Sequence, residues 1–408
     1  MRLRNWLFGH FREVARLFAF QEFDAPILES EELYKRKAGE EITAQMYNFR
    51  SKDGTDVTLR PEMTPTLARL ILKAGKKMLL PIKWFSIPQC WRYETTTRGR
   101  MREHYQWNMD IVGVYAVTAE AELLAAIVES FKRMGLTAAD VVIKINSRQV
   151  LQDVLSPLGI GPDKFAPVCV IVDKLDKLAP EEVEKQLTEL GLDASVINTI
   201  QSTLSIKTLE GLNEIIPNST VLQEFKTLWK IAKDYDFEDW LTFDASIVRG
   251  LAYYTGIVFE CRDRAGQLRA IAGGGRYNRL LTTYGSKEEV PACGFGFGDC
   301  VIVELLKEKN LLPALEPEID DLVIAFNEEL RGPACQIANK LRAQKRRVDV
   351  QLIPNKKIAW AYNYADRVGA SRAVFVAPDE WAKGLVRIKN LRATDTELKE
   401  LNIPLADL

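Results

Sequence analysis

Residues 84–112 read WFSIPQCWRYETTTRGRMREHYQWNMDIV, two apolar and aromatic-rich runs (82–92 and 105–114) around an Arg- and Thr-rich stretch. That pattern predicts an antiparallel hairpin with a long charged tip. Strand side chains alternate between faces, so Arg92 and Glu94 project one way on the first strand. Gln106, Asn108 and Asp110 share a face on the second. A sheet that only packed would be apolar there. A row of convergent polar groups points instead to a site for a charged, hydrogen-bonding ligand. The plain alternative is a solvated hairpin whose charges pair among themselves. At the tip, Arg98, Arg100 and Arg102 are guanidinium groups suited to phosphate oxygens.

Around this hairpin the periodicity predicts a mixed chain. Leu3, Leu7, Phe11, Val14, Ala15 and Phe18 recur at helical spacing. A strand follows over 20–28, stopped by Pro26. A second strand over 55–60 leads into Arg60-Pro61-Glu62-Met63-Thr64-Pro65 and a helix through Ala74. After a helix over 119–133 and a strand over 141–146, the composition turns acidic and helical, which predicts an inserted helical domain over 150–238. Strands are expected over 247–261 and 268–272, then Gly273-Gly274-Gly275-Arg276-Tyr277 with a helix, a strand over 291–297 and a helix over 301–309. A linker over 312–318 precedes strands 322–326, 348–352 and 373–376 alternating with helices, an α/β domain over 319–408. Residues 1–149 and 239–311 would then form one domain split by the insertion. At 408 residues the chain is long enough for two or three domains of roughly 150 residues each.

Composition narrows the chemistry. A net charge of -1 excludes a wholly basic nucleic-acid coat protein but leaves room for local patches. Only two histidines occur, His10 and His104, so no metal centre or catalytic scheme can use several imidazoles. Neither has a triad or ligand set nearby in sequence, and both read as structural or surface residues. The six cysteines are scattered without a C-x-x-C pair, as free thiols of a reducing compartment would be. Cys300 follows Asp299 without an evident base, which argues against a thiol nucleophile. No apolar run approaches the roughly 18 residues of a membrane span, and the charged first helix is no signal peptide. A soluble protein is expected.

Four further clusters stand out. Glu62 suits a substrate ammonium or a helix first-turn carboxylate. Arg249, in Val248-Arg249-Gly250-Leu251-Ala252-Tyr253-Tyr254-Thr255-Gly256, suits developing phosphate charge or an edge strand over core aromatics. The run 273–277 is neither a P-loop nor a G-x-G-x-x-G turn, but its glycines let backbone approach a ligand. Gly294, Gly296 and Gly298 bare one face of their strand, for a flat ring such as adenine or for a packed helix.

Taken in this order, these segments resemble the histidyl-tRNA synthetases, a family of class II aminoacyl-tRNA synthetases. The opening helix and the strand ending at Pro26 look like motif 1, residues 84–112 like motif 2, and 292–306 like motif 3. Residues 248–260 with Gly273-Gly274-Gly275-Arg276-Tyr277 resemble the two histidine-specific signatures, the most specific part of the likeness. The resemblance implies an α+β class II catalytic domain, an antiparallel sheet flanked by helices, with an inserted helical domain and a following α/β anticodon-binding domain.

It also implies activation of L-histidine with ATP to histidyl-adenylate and pyrophosphate, then transfer to the 3′ end of tRNA(His). By position, Glu62 and Thr64 would hold the α-amino group, and Gln106, Asp110, Tyr253, Tyr254 and Tyr277 would line the histidine site. Arg92 would bridge the carboxylate and the α-phosphate, with Arg249 opposite, and both would be catalytic. Glu94, Arg100 and Arg102 would serve ATP, and Arg98 and Arg100 the tRNA acceptor end. Mg²⁺ would accompany the β- and γ-phosphates; no zinc and no protein metal site are expected. The family resemblance further implies a homodimer through motif 1, no membrane, and a cytoplasmic address, or an organellar one if a transit peptide has been removed.

Three departures stand out. Asp299-Cys300 replaces the usual motif 3 Glu-Arg, Ala252 stands where many bacterial members have Asp, and the G-T-R-D preamble is absent. The rival reading is a non-catalytic paralogue, either the regulatory subunit of ATP phosphoribosyltransferase or a tRNA sensor.

Overall fold

The alternating runs around the charged tip become the centre of a sheet. The computed structural model describes all residues except 36–42, 173–177, 248–253, 316–318, 354–356 and 394–399. Two compact units result, Met1–Leu312 and Pro313–Leu408.

In the first unit the strands are β1 (Gln21–Glu22), β2 (Leu28–Ser30), β3 (Tyr47–Arg50), β4 (Asp56–Leu59), β5 (Ile82–Ser86), β6 (Gln89–Trp91), β7 (Glu103–Val112), β8 (Val141–Ser147), β9 (Leu241–Phe243), β10 (Ile257–Asp263), β11 (Ala272–Arg276) and β12 (Ala292–Gly298). The large sheet runs β1-β5-β7-β12-β11-β10-β8-β9, with β6 also paired to β7. Pairing is antiparallel from β5 to β8, and only the outer strands β1 and β9 lie parallel to their neighbours. A small sheet β2-β4-β3 stands beside it.

One face of the large sheet is apolar. Trp107, Met109 and Ile111 of β7 join Phe295 and Phe297 of β12 beneath the helices Arg2–Leu17 and Thr118–Arg133. The first helix buries Leu7, Phe8, Phe11, Val14 and Ala15, the stripe its spacing predicts. Phe11 stacks on Trp107 with ring centroids 4.7 Å apart. Ala19 ends this helix in the left-handed region, φ 58°, without a glycine.

The expected strand over 20–28 is two short ones. Phe23 still donates its N–H to the Phe85 carbonyl at 2.9 Å, but beyond it the chain crosses to the small sheet, where β2 pairs with β4. The expected strand over 82–92 likewise breaks into β5 and β6. Pro88 has no N–H to give the ladder, yet its carbonyl accepts from Gln106 N at 3.1 Å, so the same partner strand serves both halves. The glycine run is strand, not a turn after one, since Gly273 to Arg276 lie within β11. A Cβ on Gly274 would sit 2.7 Å from both Phe259 Cζ and Phe295 Cβ, so the crowded sheet centre requires glycine there.

The described residues of 148–234 are mostly helical. Leu151, Leu155, Val168, Leu187, Ile197 and Ile200 form a small separate core. The helix Thr220–Asp234 instead sends Phe225 and Leu228 into the main core. Asp244 fastens the returning chain: Ser246 Oγ donates to it at 2.6 Å, Lys144 pairs at 3.0 Å, and Lys207 reaches it from the helical segment. These contacts outweigh burial and hold its carboxyl down at about 2.

The second unit has β13 (Asp321–Ala325), β14 (Val348–Val350), β15 (Arg372–Val376), β16 (Leu385–Asn390) and β17 (Glu400–Pro404). Their order is β14-β13-β15-β16-β17, parallel for the first three and antiparallel beyond. The β16–β17 hairpin was not anticipated from sequence. Its last strand is largely exposed and lacks an apolar alternation to read. Helix Arg331–Ala343 covers one face and Ile358–Arg367 the other, which explains the continuous apolar runs of β13 and β15.

Candidate active site

The face of β7 opposite the core carries the predicted polar row. Asn108 and Asp110 are buried, Gln106 is half-buried, and Asn108 Nδ2 donates to the Gln106 carbonyl at 3.0 Å. Across the ladder Gly294 faces Asp110, Gly296 faces Asn108 and Gly298 faces Gln106. A Cβ on Gly296 would lie 2.6 Å from Gln106 Cδ, and one on Gly294 would strike both the Asp110 carboxylate and the Tyr277 hydroxyl. The bare face is therefore filled, at these two positions, by the protein's own side chains.

Tyr277 donates its hydroxyl to Asp110. Its ring lies 6.2 Å from that of Tyr254 at 52°, and both tyrosines are buried. Gly275 makes this possible, because a Cβ there would sit 2.9 Å from the Tyr254 ring. Sequence reasoning grouped Asp110, Tyr254 and Tyr277 only through the resemblance; the sheet brings them together.

The turn at 60–64 is braced from three sides. Arg60 is buried and donates from Nε to the Gln89 carbonyl at 2.9 Å and from Nη1 to the Ala25 carbonyl at 2.8 Å. Tyr34 donates to the Glu62 carbonyl at 3.2 Å and shares a hydrogen bond with Thr66 Oγ1 at 3.1 Å. Glu62 is buried, and Thr64 opens the helix Thr64–Ala74. Arg92 Nε donates to the Pro61 carbonyl at 3.0 Å, which sets this guanidinium beside the Glu62 segment.

At the hairpin tip the arginines are committed. Arg100 forms a two-point pair with Glu94. Arg102 Nε donates to the Glu94 carbonyl at 3.1 Å, and its guanidinium lies 4.3 Å over the Tyr93 ring. Arg98 reaches the helix Asp299–Glu308, meeting Glu304 at 2.9 Å and Glu308 at 2.6 Å. Gly99, at φ 72°, would bring a Cβ within 3.1 Å of Val301 Cγ2, so the tip lies closely on that helix.

His104 belongs to this site region, although sequence reasoning set it aside as structural or surface. It continues the alternation of Gln106 and Asp110 two residues earlier, and that spacing was the available signal. Burial, then the charges of Arg92 and Arg100, push its imidazole down to about 4, so it is neutral at physiological pH. Cys300 shows the opposite shift: burial, then Asp299, push its thiol up to about 12, and it carries no nucleophilic thiolate. Its Sγ lies 3.2 Å from Asp299 Oδ1, which also accepts the Tyr105 N–H at 3.0 Å.

Arg249 and Tyr253 lie outside the described residues. Both flanks of their segment are held: Asn146 Nδ2 donates to the Ala245 and Ile247 carbonyls at 2.8 and 3.1 Å, and Thr255 N donates to the Arg276 carbonyl at 2.7 Å. Among the described residues no group of three or more His, Cys, Asp or Glu side chains could hold a metal ion. The carboxylates of Asp110, Glu94 and Asp299 are each engaged by protein donors.

An antiparallel sheet with one polar, recessed face, flanked by helices and followed by a separate α/β unit, is the fold of a class II aminoacyl-tRNA synthetase with an anticodon-binding domain. A family profile described as Histidyl-tRNA synthetase matches residues 1–298, and one described as Anticodon binding domain matches 321–408. The chain belongs to the histidyl-tRNA synthetase family. It is 51% identical to the chloroplastic/mitochondrial histidine–tRNA ligase of Arabidopsis thaliana, over 100% of this chain and 83% of that protein. It is 36% identical to the histidine–tRNA ligase of Opitutus terrae, over 97% and 92%. The crystal structure of histidyl-tRNA synthetase from Nostoc sp. PCC 7120 shares the fold with a TM-score of 0.80, at 23% identity over 99% of this chain and 94% of that one.

Proposed function

We infer that this chain is a histidine–tRNA ligase, which activates L-histidine with ATP and passes it to tRNA(His). The observation that carries this reading is the buried constellation of Asp110, Tyr277 and Tyr254, a carboxyl acceptor bonded to one phenol whose ring packs against a second. Such a constellation suits an imidazole N–H and rejects side chains that would leave Asp110 without its ligand hydrogen bond.

In the proposed mechanism Glu62 and Thr64 take the α-amino group, while Gln106 and the tyrosines Tyr253, Tyr254 and Tyr277 surround the side chain. The substrate carboxylate oxygen attacks the α-phosphorus; the new P–O bond forms as the bond to pyrophosphate breaks. Arg92 is pre-set by the Pro61 carbonyl and needs little reorganisation to hold carboxylate and α-phosphate together. Arg249 is proposed for the opposite side of that phosphate. Glu94, Arg100 and Arg102 serve ATP, which arrives with Mg²⁺ as its counter-ion, and no step is routed through that ion. Arg98 and Arg100 meet the acceptor end of tRNA.

Residues 1–149 and 239–311 are the proposed catalytic domain, 150–238 its insertion, 312–318 a linker and 319–408 the anticodon reader. A homodimer through the first helix and the segment to Pro26 is part of the proposal. The nearly fully exposed Leu79 and half-exposed Leu80 offer additional apolar surface for a second copy. No helix of the described residues is long and apolar enough to cross a membrane. A cytoplasmic address, or an organellar one as in the name of the Arabidopsis relative, is decided by imaging a tagged chain.

Histidine-dependent ATP–pyrophosphate exchange and charging of a tRNA(His) transcript test the reading. Exchange and charging are expected; a folded protein that does neither is the paralogue instead. Arg249→His is expected to abolish exchange without unfolding the protein.

A further inference from the structure

We propose that Arg269 binds the terminal phosphates of ATP, supplying positive charge on the side of the site where Cys300 stands. The proposal rests on the synthetase reading and adds a residue to it. Arg269 lies between β10 and β11 in a connection fixed at both ends. The Gln267 and Leu268 N–H groups donate to the Asp263 carboxylate at 2.9 and 3.0 Å, and Ile271 N donates to the Cys261 carbonyl at 2.8 Å. The Ile271 carbonyl accepts from Gly298 N at 3.0 Å. The β11–β12 ladder, which pairs Ala272 with Phe297, thus ends beside the first turn of the helix Asp299–Glu308. Arg269 stands two residues before Ile271, in the connection that runs up to this helix start. Leu268 and Ile271 are buried in the core, whereas Arg269 is exposed.

Its electrostatic neighbours are those of the hairpin tip. Partial desolvation of its stem and then the Arg100 charge lower its pKa, with Glu94 opposing. Arg98, Arg100 and Arg102 already have carboxylate or carbonyl partners. Arg269 has no hydrogen bond or ion pair among the described residues. Two guanidinium groups close enough to disfavour each other's charge are stabilised by an anion between them, and a triphosphate tail is such an anion. The first turn of the adjacent helix cannot supply that charge, because Asp299 is acidic and Cys300 holds its proton.

The test compares wild type, Arg269→Ala, Arg269→Gln and Arg269→Lys in pyrophosphate exchange and in equilibrium binding of ATP and AMP. Losing one charge-assisted phosphate contact should raise KM for ATP about tenfold or more in the Ala and Gln variants, with KM for histidine and AMP affinity changed by less than about twofold. Lys should restore part of the loss, and Cys300→Arg added to Arg269→Ala should restore it as well. Equal losses of ATP and AMP affinity, or no change in either, would overturn the proposal. Wild-type protein without exchange would instead defeat the synthetase reading itself.

Discussion

Arg276 and Glu120, 156 residues apart, meet in a two-point ion pair, Nε to Oε1 at 2.5 Å and Nη2 to Oε2 at 2.5 Å, with both side chains buried. Arg276 Nη1 and Nη2 also donate to the Val114 and Ala116 carbonyls at 2.9 and 3.1 Å. The arginine next to Tyr277 therefore faces away from the ligand side and ties β11 to the helix Thr118–Arg133. Removing one partner leaves an uncompensated buried charge, so Arg276→Met should lower stability by about 3–5 kcal/mol. Urea unfolding checks this; a loss below about 1 kcal/mol would mean the pair is replaceable.

Arg92 is expected to matter through geometry as well as charge. Arg92→Lys keeps the cation but loses the planar fork whose Nε grips the Pro61 carbonyl and whose two terminal nitrogens are proposed to hold the substrate. Exchange should fall about 100-fold or more, mainly in kcat. Near-normal kcat in the Lys variant would show that a point charge suffices.

Asp110 and Tyr277 should act on histidine rather than ATP. Asp110→Asn should reduce kcat/KM for histidine about 100-fold and leave KM for ATP little changed, since a site built to hydrogen-bond its substrate discriminates at this scale. Tyr277→Phe removes the hydroxyl that fixes Asp110 and should show a milder loss of the same kind. A change confined to ATP would contradict the proposed division of the site.

His104 predicts a pH dependence of stability. Its folded pKa is about 4 against an ordinary 6.5, so the unfolded chain binds the proton more tightly. The neutral imidazole's contribution is complete above about pH 6.5, declines as the pH falls toward 4, and changes no further below that. His104→Gln should lack this decline. The stability difference between wild type and variant should therefore shrink by about 2–3 kcal/mol between pH 7.5 and 4.5. A pH-independent difference in urea unfolding would rule out the titration.

How much of the site could be read from sequence depended on whether it rested on local periodicity. Gln106, Asn108 and Asp110 were visible because a strand repeats every two residues, and Glu62 and Thr64 because a strand meets a helix there. The same alternation contained His104, which was passed over because an isolated histidine shows no partner in sequence. Pro88 and the crossing after Phe23 broke two expected strands, since strand length depends on which neighbour supplies the ladder. Arg269 gave no local sign at all.

The sequence by itself determined the polar face of β7, the family and much of the order of elements, because these follow from side-chain alternation and from motifs a few residues long. Tertiary structure decided which way the remaining charges face. Arg276 turns to Glu120, Arg98 to Glu304 and Glu308, and Arg100 to Glu94, leaving Arg269 without an ion pair among the described residues. A guanidinium's partner is set by whichever carboxylate the sheet register and helix packing bring within hydrogen-bond reach, and those partners lie from six to 210 residues away along the chain.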